Sequence, residues 1–71
     1  MIVEFQDKLK RRVILDTERI VTLVEKIEYA TNGDSRLSGM WDVVLINSYC
    51  IEVDRETKEF ICDKWENVEN V

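Results

Sequence analysis

A short segment near the middle of the chain carries residue types that can hold a small ligand. Ser35, Arg36 and Ser38 offer hydrogen-bond donors, and the Arg36 guanidinium suits a phosphate or carboxylate group. Trp41 follows closely, and its indole ring can stack on a flat molecule. The segment therefore predicts a site for a nucleotide-like anion. The alternative, which is the commoner role of such a residue, is that Trp41 covers the edge of a sheet.

Other kinds of chemistry find little support in the composition. The chain has no histidine, which removes the commonest general base and the commonest metal ligand. Cys50 and Cys62 do not have the spacing of a zinc site, and a reducing compartment would keep them as thiols, with a single disulfide between them as the alternative. The stretch that holds Gly33 and Gly39 lacks the ending of a phosphate-binding loop. We therefore predict a protein that is not an enzyme and that uses no metal or cofactor.

A group of acidic residues is expected along one side of a helix near the end of the chain. It consists of Glu56, Glu59, Asp63 and Glu66. Such a ridge can imitate the phosphates of a nucleic acid or bind a basic partner, and the alternative is an ordinary solvated helix face. A basic group near the start is interpreted as a charged hairpin turn in preference to an anion site. It consists of Lys8, Lys10, Arg11 and Arg12.

Length and charge narrow the class of protein. The chain has 71 residues with 15 acidic and 10 basic side chains, for a net charge of −5. This balance argues against direct nucleic-acid binding, whose affinity comes from neutralising phosphates. No apolar run approaches the roughly 18 residues of a membrane span, and the first residues do not resemble a signal peptide. We predict a single small domain over residues 1–71, without membrane contact, in the cytoplasm of a bacterium or of an infected cell. So short a chain is expected to gain stability from self-association.

The hydrophobic pattern predicts mainly strands in the first half. Residues 2–6 and 11–15 alternate like a β-hairpin, and Asp16 with Thr17 can cap one helical turn. Residues 17–27 are ambiguous between a helix and a turn followed by a strand; we favour a strand over residues 22–29 because β-branched side chains are frequent there. Residues 30–40 are polar, hold both glycines and are expected to form a mobile loop.

A second hairpin is predicted around Asn47 and Ser48. A two-residue turn would place Ile46 opposite Tyr49 and direct one apolar face to the core. That core face would contain Val44, Ile46, Tyr49, Ile51 and Val53. The opposite face would contain Val43, Leu45 and Cys50, either as a self-association surface or covered by the N-terminal strands.

The hairpin leads directly into a predicted helix. Asp54 is a good N-cap, and an apolar stripe follows at helical spacing. The stripe consists of Thr57, Phe60, Ile61, Trp65 and Val68. The predicted fold is therefore α+β, with a small antiparallel β-sheet of about four to five strands packed by one C-terminal amphipathic helix.

Residues 12–60 resemble the small flagellar-operon proteins of the FlbD type and related short bacterial and phage proteins. The matching segments are Val13-Ile14-Leu15-Asp16, Ile20, Ile27-Glu28, Val44-Leu45-Ile46 and Ile51-Glu52-Val53-Asp54-Arg55-Glu56. The resemblance implies the same fold and a bacterial or phage origin, and it transfers no active site. Residues 30–40 lengthen a connection that is short in that family, so a distinct function is expected there.

Three hypotheses for function remain. The first is a non-enzymatic, acidic, homo-oligomeric binding protein, bacterial or phage-encoded, that acts by binding a host protein. The second is a phage counter-defence protein that sequesters a nucleotide-like signal at a subunit interface, with Trp41 and Arg36 closing over it. The third is an acidic mimic of nucleic acid that inhibits a protein through the helix ridge.

Overall fold

A computed structural model describes residues 1–65 as five antiparallel strands and one helix. The elements are β1 (Ile2–Gln6), β2 (Arg12–Asp16), a 3₁₀ turn (Thr17–Arg19), β3 (Ile20–Tyr29), β4 (Ser35–Leu45), β5 (Cys50–Asp54) and α1 (Arg55–Lys64). Strands β1 and β2 form one sheet, and β3, β4 and β5 form a second in that order. The predicted α+β class is confirmed, with the strands divided between two sheets.

The three hairpin loops share one geometry. The loops are residues 7–11, 30–34 and 45–49. In each loop the backbone amide of the fourth residue donates a hydrogen bond to the carbonyl of the first residue. The amide of the first residue donates a hydrogen bond to the carbonyl of the fifth residue. The fourth residue is left-handed in every case: Lys10 (φ 67°), Gly33 (φ 90°) and Ser48 (φ 67°). This is the hairpin type in which a type I turn precedes one left-handed residue. Only one of the three positions uses glycine, the residue best suited to it.

The two-residue turn predicted at Asn47 and Ser48 is wrong. The Asn47 side chain accepts the Tyr49 amide at 3.1 Å, and only Ser48 is left-handed, so the loop has one residue more than expected. Val43 consequently pairs with Ile51, and Val44 pairs with Cys50. A shift of one residue exchanges the two faces of a strand. Val43 is therefore 0% exposed in the core.

Residues 17–27, which are ambiguous in the sequence, and residues 30–40, the predicted mobile loop, both contain strand. Residues 17–19 form a 3₁₀ turn capped by Asp16, whose side chain accepts the Glu18 amide at 3.1 Å, and β3 follows at once. The turn-plus-strand interpretation is confirmed. The loop predicted over residues 30–40 is confirmed for residues 30–34 and is wrong for residues 35–40, because β4 begins at Ser35 and pairs with β3. Residues 38–40 form a bulge between the pairs Ile27–Leu37 and Glu25–Trp41.

Both sheets and the helix contribute to one core. Its buried apolar members are Val3, Phe5, Leu15, Ile20, Val43, Ile51, Val53 and Ile61. The helix begins as predicted, because the Asp54 side chain accepts the Thr57 amide at 2.8 Å. Ile61 is fully buried, whereas Phe60 of the predicted stripe remains exposed, and Val68 lies outside the described residues.

We expect Ser48→Gly to stabilise the protein by about 0.5–1 kcal/mol, because a left-handed conformation costs a side chain more than it costs glycine. The matched control is Asn47→Gly, which should destabilise the protein since it removes the acceptor of the Tyr49 amide and loosens the unfolded chain. Urea denaturation measures both changes. A stabilising Asn47→Gly would contradict the loop geometry, because both residues are left-handed only in a two-residue turn.

Candidate functional site

The four residues of the predicted ligand site do not come together. Ser35 and Arg36 lie exposed at the outer end of β4, where the Arg36 guanidinium contacts the Glu28 carboxylate at 3.0 Å. The Ser38 hydroxyl lies in the bulge and accepts the Met40 amide at 3.0 Å. Arg36 pairs with Glu28 and Trp41 pairs with Glu25, and these partners are three residues, or roughly 10 Å, apart on β3. Because residues three apart on a strand point to opposite faces, Arg36 and Trp41 lie on opposite sides of the sheet. A single chain therefore does not assemble the predicted site.

Trp41 lies against the core. It pairs with Val53 on β5 and is partly buried against the core cluster. The Lys58 ammonium lies 4.4 Å from the centre of its ring, within the range of a cation–π contact. The indole Nε1 atoms of Trp41 and Trp65 are buried, and neither has an acceptor within residues 1–65. This placement agrees with the alternative that Trp41 covers the sheet.

The predicted self-association face is not one surface. Val43 is buried in the core, Leu45 is half-buried against it, and only Cys50 is exposed. The prediction is wrong for Val43 because it depended on the two-residue turn. Cys50 and Cys62 are both free thiols, and burial raises the pKa of Cys62.

The acidic helix ridge is partly described. Glu56, Glu59 and Asp63 are exposed along α1, and Glu66 lies outside the described residues. None of the three forms an ion pair with a residue in positions 1–65. Their exposure is equally expected of an ordinary solvated helix face.

The face of the three-stranded sheet opposite the core is held by an ion-pair network. The Glu52 carboxylate contacts the Lys26 ammonium at 2.8 Å and the Lys8 ammonium at 3.4 Å. The hydrogen bond from Lys26 lowers the pKa of Glu52, and the same bond raises the pKa of Lys26. This face therefore contains paired charges where the sequence predicted a partly apolar surface.

An unpartnered apolar surface lies instead at the outer ends of β3 and β4. Beyond the bulge these strands continue as a two-stranded ribbon, in which Ile27 pairs with Leu37 and Tyr29 pairs with Ser35. Ile27, Tyr29 and Leu37 share one side and are 54%, 72% and 65% exposed. The Arg36–Glu28 ion pair occupies the other side. We call the surface formed by Ile27, Tyr29 and Leu37 the apolar ribbon face.

Sequence reasoning missed the apolar ribbon face because residues 30–40 were assigned to a loop. The usable signal was local: Ile27 and Tyr29 alternate with the charged Lys26 and Glu28, as in a strand with one apolar side. If the turn is placed at residues 31–33, Ser35 lies opposite Tyr29 and Leu37 lies opposite Ile27, so Leu37 joins the same apolar side.

A groove of about 620 Å³ lies between β2 and β5. Its lining residues are Asp7, Lys8, Leu9, Arg11, Arg12, Val13, Ile14, Tyr49, Cys50, Ile51 and Glu52. The Lys8 amide donates to the Glu52 carbonyl at 2.8 Å and joins the first hairpin loop to β5. We call this cleft the edge groove, because each of its two strands has a neighbour on the other side only.

Asp7 holds the hairpin loop at the base of the edge groove. One carboxylate oxygen accepts the Leu9 and Arg11 amides, each at 2.9 Å, and the other accepts the Arg11 Nε at 2.7 Å. Burial opposes ionisation of Asp7, but the hydrogen bonds from Arg11 and Leu9 and the nearby guanidinium outweigh it and lower the pKa of Asp7. A charged Asp7 therefore stabilises the folded loop.

Comparison with known proteins identified no relative: no family model, no curated protein and no solved structure matches the chain. The resemblance to FlbD-type proteins stays a prediction. Within residues 1–65 no three acidic or cysteine side chains are grouped to hold a metal ion. No helix in that range has the length and apolar character needed to cross a bilayer.

We expect Asp7→Asn to reduce the stability of the fold at neutral pH and to make that stability less dependent on pH in the acid range. The folded-state pKa of Asp7 is lowered. The stabilisation by ionised Asp7 is therefore fully present above the unfolded-state pKa of about 3.9, and it is lost as the pH falls through the folded-state pKa. Denaturation between roughly pH 5 and pH 2 should therefore show a smaller loss of stability for Asp7→Asn than for the native chain. Asp63→Asn, which removes one carboxylate at an exposed helix position, is the control for the change in net charge. An unchanged acid profile in Asp7→Asn would contradict the assigned role.

Proposed function

We propose that the chain is a non-catalytic binding protein that associates through the apolar ribbon face, with a second copy of itself as the first partner. The observation that carries the proposal is the amphipathic character of the ribbon. Three large apolar side chains are exposed together on one side, while an ion pair occupies the other. Contiguous exposed apolar groups of this kind are typical of interaction sites.

The energetics favour association of two ribbons. Covering a large apolar side chain contributes roughly 1.5–3 kcal/mol, and a twofold contact covers the same three residues on each copy. Part of this gain is lost to the entropy of association and of side-chain ordering.

Charge also permits contact between two copies. Each chain carries a net charge of −5, so two copies repel one another over most of their surfaces. The apolar ribbon face contains no Asp, Glu, Lys or Arg side chain, and the neighbouring Arg36 and Glu28 form an ion pair with each other. Contact at this place therefore brings together surfaces without unpaired charge.

The biological setting belongs to the same proposal. A bacterial or phage-encoded protein of this kind would act in the cytoplasm by binding a host protein, using its dimeric form to present two copies of its recognition surface. This setting is supported by the pattern-level resemblance to short bacterial and phage proteins.

Sedimentation velocity at high micromolar concentration should show a dimer of the native chain. Leu37→Asn should raise the dimer dissociation constant at least about tenfold, which corresponds to about 1.4 kcal/mol, because it places an amide within the contact. The control is Glu28→Gln, on the opposite side of the ribbon, and its effect should stay within about twofold. A strictly monomeric native chain, or an equal effect of the two substitutions, would refute self-association through this face.

A further inference from the structure

We infer that the edge groove binds an acidic segment of another protein in extended conformation, as an added β-strand. This inference does not depend on the apolar ribbon face, which lies near the opposite end of β4. It rests on the direction of the backbone amides and carbonyls at the two strand edges, on the exposed charged side chains around the groove, and on the size and lining of the groove.

The β5 edge directs backbone polar groups into the groove. The Glu52 carbonyl accepts the Lys8 amide at 2.8 Å, so the backbone groups of Glu52 point away from β4. Residues two apart in a strand have their backbone groups on the same side, and Cys50 therefore presents its amide and carbonyl in the same direction. No backbone group within residues 1–65 satisfies these Cys50 groups.

The β2 edge faces the groove in the same manner. The Arg11 carbonyl accepts a hydrogen bond from the Asp7 amide at 3.0 Å, so the backbone amide and carbonyl of Arg11 point toward β1. By alternation Arg12 and Ile14 direct their amides and carbonyls away from β1, toward the groove. The groove is thus bordered by two strand edges with free hydrogen-bonding groups, which is the arrangement that extended peptides complete by strand addition.

The exposed charge around the groove is positive. The side chains of Lys8, Arg11 and Arg12 are 55%, 67% and 69% exposed. The acidic side chains of the lining are turned inward: that of Asp7 is 5% exposed and that of Glu52 is 20% exposed. Each of these cations pairs with a carboxylate: Lys8 with Glu52, Arg11 with Asp7 and Arg12 with Glu4. Because Asp7 and Glu52 are much less exposed than the cations they pair with, the outer rim of the groove is cationic on a chain with a net charge of −5, and this rim favours an anionic occupant.

The size and apolar lining favour a peptide over a small anion. The volume of about 620 Å³ lies within the roughly 300–1,000 Å³ of ligand clefts. Leu9, Ile14 and Tyr49 are exposed around the groove and offer contacts to apolar side chains of a strand. Phosphate would use the cations but would leave both strand edges and these apolar contacts unoccupied. An extended peptide with alternating acidic and apolar residues uses all three.

Fluorescence anisotropy with three labelled probes tests the inference. The probes are a ten-residue peptide of alternating glutamate and valine, its counterpart with lysine in place of glutamate, and a ten-nucleotide oligothymidine. The acidic peptide should bind at least about tenfold more tightly than either of the others. No binding of the acidic peptide, or equally tight binding of the lysine peptide or the oligothymidine, would overturn the inference.

Two matched arginine variants test the location. Arg12→Glu should weaken binding of the acidic peptide at least about fivefold. Arg36→Glu is the control, because Arg36 is likewise exposed and paired across the strands with a glutamate, at the same distance of 3.0 Å. Its effect should stay within about twofold. Equal weakening by both variants would show that overall charge determines binding and would overturn the site.

A third variant tests strand addition itself. Ile14→Pro removes an amide that points into the groove and leaves the hydrogen bonds to β1 in place, as is tolerated on edge strands. It should abolish binding, with circular dichroism reporting the fold. If this variant does not fold, amide hydrogen exchange in the native chain decides, since the peptide should slow exchange at Ile14 and Cys50. Unchanged exchange, or unchanged binding by a folded Ile14→Pro, would overturn strand addition.

The two proposals fail separately. Monomeric Leu37→Asn should bind the acidic peptide as the native chain does, whereas Arg12→Glu should still form the dimer. Loss of peptide binding in Leu37→Asn would overturn the independence of the groove from the ribbon.

Discussion

The register of the strands is the constraint on which the rest of the structure depends. Each hairpin loop places one residue in the left-handed conformation at its fourth position, and this position determines which residues pair. Because side chains alternate across a strand, a change of one residue would exchange core and surface along the whole strand. With Ser48 left-handed, Val43, Ile51 and Val53 enter the core together. The same choice leaves Glu52 on the opposite face, where two lysines neutralise it.

The short chain cannot cover all the sheet that it builds. The two-stranded sheet and one helix close the core over the inner parts of β3, β4 and β5. The bulge at residues 38–40 marks the end of this covered region, and the outer ribbon extends beyond it. Apolar side chains on that ribbon gain nothing from the core. The exposure of Ile27, Tyr29 and Leu37 is the observation from which we propose contact with another molecule.

The features predicted well from the sequence depend on local hydrogen bonds. Asp16 and Asp54 cap the elements that follow them through bonds to amides two and three residues ahead, so residue type and position were sufficient. The strand β1 was also recovered over residues 2–6 because its apolar alternation is clear. Each of these signals lies within a few residues of the element it specifies.

The features predicted poorly depend on distant residues or on small energy differences. A two-residue turn would need the left-handed conformation at both Asn47 and Ser48, whereas the observed loop needs it only at Ser48, and residue type alone does not distinguish the two loops. The polar start of β4 is a strand only because β3 supplies its hydrogen bonds. The edge groove exists because Lys8 and Glu52, far apart in sequence, bring the first hairpin loop against β5. No local pattern contains that contact.

The contrast between an acidic chain and a cationic groove determines which anions can bind. At physiological salt surface charges are screened over about 8 Å, so a short acidic strand in the groove would interact mainly with the exposed, ion-paired side chains of Lys8, Arg11 and Arg12. A nucleic acid extends past the rim and meets the negative surface that dominates a chain of net charge −5. The overall charge thus works against polyanions while the local charge favours a peptide with a few acidic residues. Specificity for such a segment therefore combines this distribution of charge with the strand edges and the apolar contacts of the groove.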